Sequence, residues 1–239
     1  MKSIIITGAS AGIGAATARR FLEAGWRVGM IARQAGALET VAEGRSGAVI
    51  LPCDVTDPAA VEAAFSAFVA QAGRLDVLFN NAGRFGRAAP IDEIDLHEWN
   101  EIVDINLNAM FLCARAAFGQ MRRQRPSGGR IINNGSVSAQ SPREGSVCYT
   151  TTKHAVTGLT KSLSLDGRAY DIACGQIDIG NARTELLDGI IAADPDHAPP
   201  TMAVDDVARA VFNMADLPPE ANVQFMTLMA TRMPLIGRG

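Results

Sequence analysis

Short apolar runs alternate with longer amphipathic stretches along this chain, and that alternation limits its fold more than any other feature. Residues 3–7 read as a buried strand, and residues 12–23 as a helix with Ile13, Ala16, Phe21 and Leu22 on its apolar side. Further strands are predicted at 27–32, 48–53, 76–79, 130–134, 171–177 and 222–228. Helices are predicted at 58–72, 96–121 (one long helix or two abutting ones), 147–169 and 204–215, with Pro58 suited to a first helical turn. Strands that are apolar along their length belong in a sheet buried on both faces. The expectation is an α/β fold: a doubly wound parallel sheet of about seven strands, helices on both faces, and residues 1–239 as a single domain.

Composition narrows the class further. The 48% hydrophobic content excludes a disordered chain, and a net charge of −3 argues against general nucleic-acid binding. The cysteines Cys53, Cys113, Cys148 and Cys174 are scattered and none shows CxxC spacing, so neither a disulfide framework nor a zinc site is expected. No apolar run approaches about 18 residues, so no membrane span is expected. The first strand starts at Ser3, which leaves no room for a signal peptide. The expected location is the cytoplasm. Residues 181–203 form the one long irregular stretch, with Pro195, Pro199 and Pro200. A stretch of that length is either a substrate lid or a surface excursion.

The first strand runs into Thr7-Gly8-Ala9-Ser10-Ala11-Gly12-Ile13-Gly14. Glycines at a strand-to-helix turn let the backbone approach a phosphate, and the helix start offers free N–H groups and a positive dipole end. The spacing is G-x3-G-x-G rather than G-x-G-x-x-G. After the second strand comes Ala32-Arg33, with no acid to hold ribose hydroxyls. A planar Arg fork suits a 2′-phosphate, so Arg33 favours NADP(H) over NAD(H), which stays possible; a solvated surface arginine is the plain alternative.

Tyr149 is one of two tyrosines and lies four residues before Lys153, on one helix face. A free phenol titrates near 10, and lowering it to ~7 needs roughly 4 kcal/mol. One cation about 4 Å away, at an effective dielectric of about 20, supplies about that much. Ser136, at the end of the fifth strand, is delivered to the sheet edge where the glycine loop lies.

Together, Thr7 to Gly14, Asn80-Asn81-Ala82-Gly83, Asn106, Ser136 and Tyr149-Thr150-Thr151-Thr152-Lys153 resemble the short-chain dehydrogenase/reductases, over nearly the whole chain. The resemblance implies a Rossmann-type fold and NADP(H)-dependent hydride transfer between a ketone or aldehyde and an alcohol. It implies that Tyr149 is the general acid or base, that Ser136 holds the carbonyl oxygen, and that Lys153 binds the nicotinamide ribose and depresses the phenol. It implies that Asn106 holds a water linking Lys153 to solvent. On the cofactor side it implies Gly8, Ser10, Gly12, Ile13 and Gly14 at the pyrophosphate, and Asp54 with Val55 at the adenine. Asn81, Ala82 and Gly83 would lie near the adenine ribose, and Thr184 near the nicotinamide amide or pyrophosphate. No metal is needed, because the phenol supplies the electrophilic assistance.

Three departures from the family stand out. Ile179-Gly180 replaces the usual Pro-Gly, Gly135 precedes Ser136 where a serine is common, and the C-terminus lacks the usual Asp-Gly-Gly. Substrate contacts are expected from 84–87, 137–148 and 181–203. Arg84, Arg87, Arg143 and Arg183 fall in these segments, either clustered for an acidic substrate or, as Arg-rich usage favours, singly solvated. Cys148 fits a small buried hydrophobe better than a reactive thiol. Partners are a small-molecule carbonyl or alcohol and further copies of the chain. A homodimer or homotetramer is expected through the helices at 96–120 and 147–169, where Phe111, Phe118 and Leu159 exceed what one buried face needs. A non-catalytic NADP(H) sensor of the same fold is the alternative; an adenosyl-dependent methyltransferase would leave the Ser136, Tyr149 and Lys153 set idle.

Overall fold

The computed structural model describes residues 1–193 and 198–236. The elements run β1 (Ser3–Thr7), α1 (Gly12–Glu23), β2 (Arg27–Ala32), α2 (Ala35–Ala42), β3 (Ala48–Pro52), α3 (Pro58–Ala72), β4 (Val77–Asn80), α4 (Leu96–Val103), α5 (Ala109–Arg123) and β5 (Gly129–Asn134). They continue with α6 (Val147–Gly167), β6 (Ile172–Ile179), β7 (Ala182–Arg183), α7 (Glu185–Ala193), β8 (Met202–Ala203), α8 (Val204–Ala215) and β9 (Phe225–Leu228). A π-helical turn, Asp104–Asn108, joins α4 to α5.

Seven strands form one sheet in the order β3-β2-β1-β4-β5-β6-β9, with every pairing parallel. In β1, Ile4 and Ile6 face one side and Ile5 the other, and all three are fully buried. On the first side they pack with Phe21 and Leu22 of α1 and Val207, Val211 and Met214 of α8. On the second, Ile5 joins Phe65 and Phe68 of α3 and Ala109, Cys113 and Met121 of α5. Each large side chain so buried is worth roughly 1.5–3 kcal/mol. Alternation within strands thus feeds two cores, as the continuous apolar runs required.

Several expected boundaries shift for local reasons. The fourth strand starts at Val77, because the Asp76 carboxylate accepts from the Ser3 amide (2.8 Å) and hydroxyl (3.1 Å). The last strand starts at Phe225, because Asn222 is spent elsewhere: its amide donates to the Cys174 carbonyl (2.8 Å) and its oxygen accepts from Arg130 (2.9 Å). The helix α2 was not foreseen; it has eight residues, includes Gly36, and ends at Glu43 with φ 50°. The expectation of irregular chain over 181–203 is corrected. Strands β7 and β8 pair within it and α7 fills much of the interval. Pro199 and Pro200 come after α7 and so interrupt nothing in it, while Pro195 lies outside the described residues.

The continuous helix Leu96–Arg123 is long and apolar enough, by length and composition, to cross a membrane. In the sequence no unbroken apolar run of that length stands out, because Asp104 and Arg115 interrupt the apolar residues. In the fold this helix buries Ile102, Met110, Cys113, Ala117 and Met121.

Candidate active site

All strands of the sheet end at one edge, and the predicted site residues gather there. The glycine loop is stapled to the β4 turn. The Thr7 hydroxyl accepts from the amides of Asn81 (2.8 Å) and Ala82 (2.9 Å), and the Asn81 side-chain amide donates to the Thr7 carbonyl (2.9 Å). Asn81 Oδ1 accepts from Asn134 Nδ2 of β5 (2.8 Å). Asn81 is thus a structural tie across three strand ends. At Gly14 a Cβ would stand 2.1 Å from the Gly8 carbonyl oxygen, so only glycine closes this loop. Above Gly12 lies the Thr184 side chain, 3.1 Å from where a Cβ would be, which puts Thr184 over the loop.

The start of α1 fits an anionic ligand. Its N-cap, Ala11, offers no side chain, and no acid stands in the first turn. By contrast α3 and α4 are capped by Asp57 and Asp95. The orphan N–H groups of α1 are free for phosphate oxygens. Ser10 and Ile13 are half-buried beside them. Arg33 is exposed at the end of β2, and its charge helps hold the neighbouring Asp54 carboxyl low, after the Thr56 amide (3.0 Å) and hydroxyl (2.7 Å). Val55 is buried beneath Asp54.

The second half of the site is carried by β5, α6 and β6. Tyr149 and Lys153 share one face of α6, with the ammonium 5.4 Å from the phenol ring centre. Lys153 is 3% exposed, and Nζ donates to the Asn134 carbonyl at 2.7 Å. Burial pulls the Lys153 ammonium down to about 8, and Asp178 opposes this. The Tyr149 phenol is pushed up by burial; the nearby Ser136 hydroxyl and the Arg143 guanidinium pull it back, while Asp178 adds to the rise. Asn106 sits fully buried on the π turn. Its oxygen accepts from the Arg84 amide (2.8 Å), and its amide donates to the Arg84 carbonyl (2.9 Å) and the Thr152 hydroxyl (3.3 Å). Gly83 lies against it: a Cβ there would meet Asn106 Oδ1 at 2.9 Å.

The four arginines do not pool their charge. Arg84 pairs with Glu101 (2.6 Å), Arg87 with Glu98 (3.6 Å) and Arg183 with Asp188 (2.7 Å). Arg143 donates to Asn181 Oδ1 (2.8 Å). Cys148 is buried, and burial with the nearby Glu98 charge raises its thiol. Among the described residues no His, Cys, Asp or Glu group is placed to hold a metal. Three neighbours were not anticipated. Phe85, half exposed, stacks on Tyr149 with ring centres 4.2 Å apart. Asp178 lies beneath Ser136, and Gln140 bonds to it. An aromatic in a loop and an acid in a strand carry no sequence signal by themselves.

Comparison with known proteins shows the family and the fold. The family model described as short chain dehydrogenase matches residues 2–194. A 3beta-hydroxysteroid dehydrogenase of Mediterraneibacter gnavus is 33% identical over 191 residues, covering 78% of this chain and 68% of its own. A serine dehydrogenase solved with NADP+ superposes with a TM-score of 0.91 at 26% identity, over 99% of this chain and 98% of its own. A 3-ketoacyl-(acyl-carrier-protein) reductase from Brucella melitensis, solved with NADH, shares the fold with a TM-score of 0.87 at 24% identity and 98% coverage of both chains.

Proposed function

The chain belongs to the short-chain dehydrogenase family and is an NAD(P)-dependent oxidoreductase; we propose that it favours NADP(H) and that Tyr149 is its general acid and base. The bound dinucleotide supplies or accepts the hydride at the carbonyl carbon. In reduction, the Tyr149 hydroxyl gives its proton to the carbonyl oxygen as the C–H bond forms, and in oxidation the phenolate takes it back. The Ser136 hydroxyl holds that oxygen beside the phenol. Lys153 holds the nicotinamide ribose hydroxyls and favours the phenolate by its charge. Asn106 keeps the loop at Arg84 in place and holds a water on the path that restores the proton.

One observation supports this reading most: Ser136, Tyr149 and Lys153 meet at the edge where the uncapped start of α1 waits for phosphate. The preference for NADP(H) rests on Arg33, exposed where the ribose 2′ position would lie, with Ala32 in place of an acid. Gly8, Ser10, Gly12, Ile13, Gly14 and Thr184 would hold the pyrophosphate side, Asp54 and Val55 the adenine, and Asn81 to Gly83 the ribose wall. Residues 1–239 act as one dinucleotide-binding domain, and four free, buried cysteines suit a reducing cytoplasm. Copies pair through α5 and α6, where a groove of about 640 Å³ is lined by Phe65, Val69, Phe111, Phe118 and Leu163.

Tyr149→Phe tests the reaction. Turnover of NADPH against a panel of ketones, keto-esters, sugars and quinones should fall by roughly 10²–10⁴-fold. NADPH binding, read by fluorescence, should stay within about twofold, since the phenol oxygen alone is removed. Retained turnover would remove Tyr149 from the mechanism. NADPH binding without turnover in the parent protein would favour a sensor.

A further inference from the structure

One departure from the family pattern, Gly135, meets a buried acid of β6. A Cβ on Gly135 would stand 2.1 Å from Asp178 Oδ1 and 2.6 Å from Gln176 Nε2. The missing side chain at 135 is therefore the space that the Asp178 carboxylate occupies. That carboxylate is 3% exposed. Oδ1 accepts from the Ser136 amide (3.0 Å) and Gln176 Nε2 (2.6 Å), and Oδ2 from Gln140 Nε2 (3.0 Å). Gln140 also donates to Thr227 of β9 (3.0 Å), and Gln176 is fixed by Thr157 and Thr160 of α6. Among the described residues Asp178 makes no ion pair.

We propose that Asp178, seated in the space left by Gly135, is a positioning residue that fixes Ser136 and sets the charge felt by Tyr149 and Lys153. It rests on the reading of these three as the reaction's machinery. Three neutral N–H donors converge on this carboxylate, so its position is fixed from the Ser136, Gln140 and Gln176 sides at once. Its Ser136 bond fixes the start of the short helix Val137–Ala139, and with it the hydroxyl that meets the phenol. The charged and titratable groups around the pair are Tyr149 and Lys153 of α6, Arg143 before α6, and Asp178 of β6. β5 and β9 contribute neutral groups here. Asp178 holds protons on both Tyr149 and Lys153. In reduction, loss of either proton stops the step, so Asp178 extends activity toward high pH.

The chain has two tyrosines, so in a Tyr170→Phe background phenolate absorbance at 295 nm reads Tyr149 alone. Asp178→Asn keeps the shape and removes the charge, and Gln140 can turn its amide to suit. The Tyr149 midpoint should fall, and the alkaline limb of the reduction rate should fall with it. An unchanged midpoint in a protein that melts normally and binds NADPH overturns the proposal. Gly135→Ser with Asp178→Ala is the second protein, in which the serine fills the vacated space. It should show the same lowered midpoint. Gly135→Ser alone should melt well below the parent and the double variant should recover; equal losses in both would also overturn the coupling. The titration needs no substrate. If Tyr149→Phe keeps turnover while the midpoint still moves, the reaction assignment fails and the role of Asp178 toward the phenol stands. If Tyr149→Phe is inactive and the midpoint does not move, Asp178 fails alone.

Discussion

Lys153 carries a charge that the fold would rather not bury. Its ammonium titrates near 8 in the folded chain and near 10.4 when unfolded. Between these values the unfolded chain binds more protons, so stability rises with pH there and the full cost, roughly 3 kcal/mol, is present at pH 7. Lys153→Met should add about 1–3 kcal/mol of stability at pH 7, read as a higher melting temperature, and flatten the rise of stability above pH 8 in scanning calorimetry, at the expense of turnover. In the parent protein NADPH affinity should fall as pH passes about 8, where the ammonium that meets the ribose is lost. Arg33 acts at the opposite end of the cofactor. Arg33→Ala should weaken NADPH binding by about 10-fold or more, the worth of a charge-assisted bond, and change NADH binding little. Equal effects on both cofactors, measured by titration, would remove the basis for an NADP(H) preference. The i, i+4 placing of Tyr149 and Lys153 and the strand-end placing of Ser136 were legible in the sequence, because both have fixed geometry, whereas their roles come from the family resemblance. Asp178 was not, because its meaning depends on the empty position at Gly135, on a different strand. Phe85 was hidden for a similar reason: a loop aromatic acquires a role only when a ring lies opposite it.

At the scale of elements, what the sequence revealed followed length and periodicity. The strands of the main sheet and helices α1, α3, α6 and α8 were readable because each helix repeats its apolar pattern over several turns and each strand is a short apolar run. The eight-residue α2 was too short for a period to emerge. Over 181–203 the prolines outweighed the apolar run that forms α7, although those described follow the helix. The π turn carrying Asn106 left 96–121 open between one long helix and two abutting ones, since one extra residue turns the apolar face by about 100° without ending the helix. The loop-to-helix unit at α1 depends on a contact with no slack. Gly14→Ala forces a methyl into the Gly8 carbonyl and should cost about 1–3 kcal/mol of stability, with a large loss of NADPH affinity. Near-parent binding in that variant, by calorimetry, would mean that the loop reshapes at little cost.

For the whole molecule, the open question at the surface is the face made by α3, α5 and α6. Phe111 is 51% exposed and lines a groove with Phe118 and Leu163, among charged neighbours such as Arg115 and Asp166. Such a patch is the mark of an interface. Phe111→Glu should convert the assembly to monomers in sedimentation velocity and leave the fold intact by circular dichroism; an unchanged sedimentation coefficient would place the interface elsewhere. The sequence indicated an excess of apolar residues here but could not show that α3 shares the groove, since that follows from packing across the sheet.

The parallel sheet separates two kinds of variation. Each strand delivers its functional groups at one rim, whereas the opposite rim holds turns such as the one at Asp76 and Ser3. Residues 84–87, 137–148, 181–193 and 198–203 follow the ends of β4, β5 and β6 and lie on the first rim. Libraries confined to those segments should therefore yield catalysts with new substrate ranges on an unaltered frame, whereas libraries on the opposite rim should yield hardier proteins with the original range.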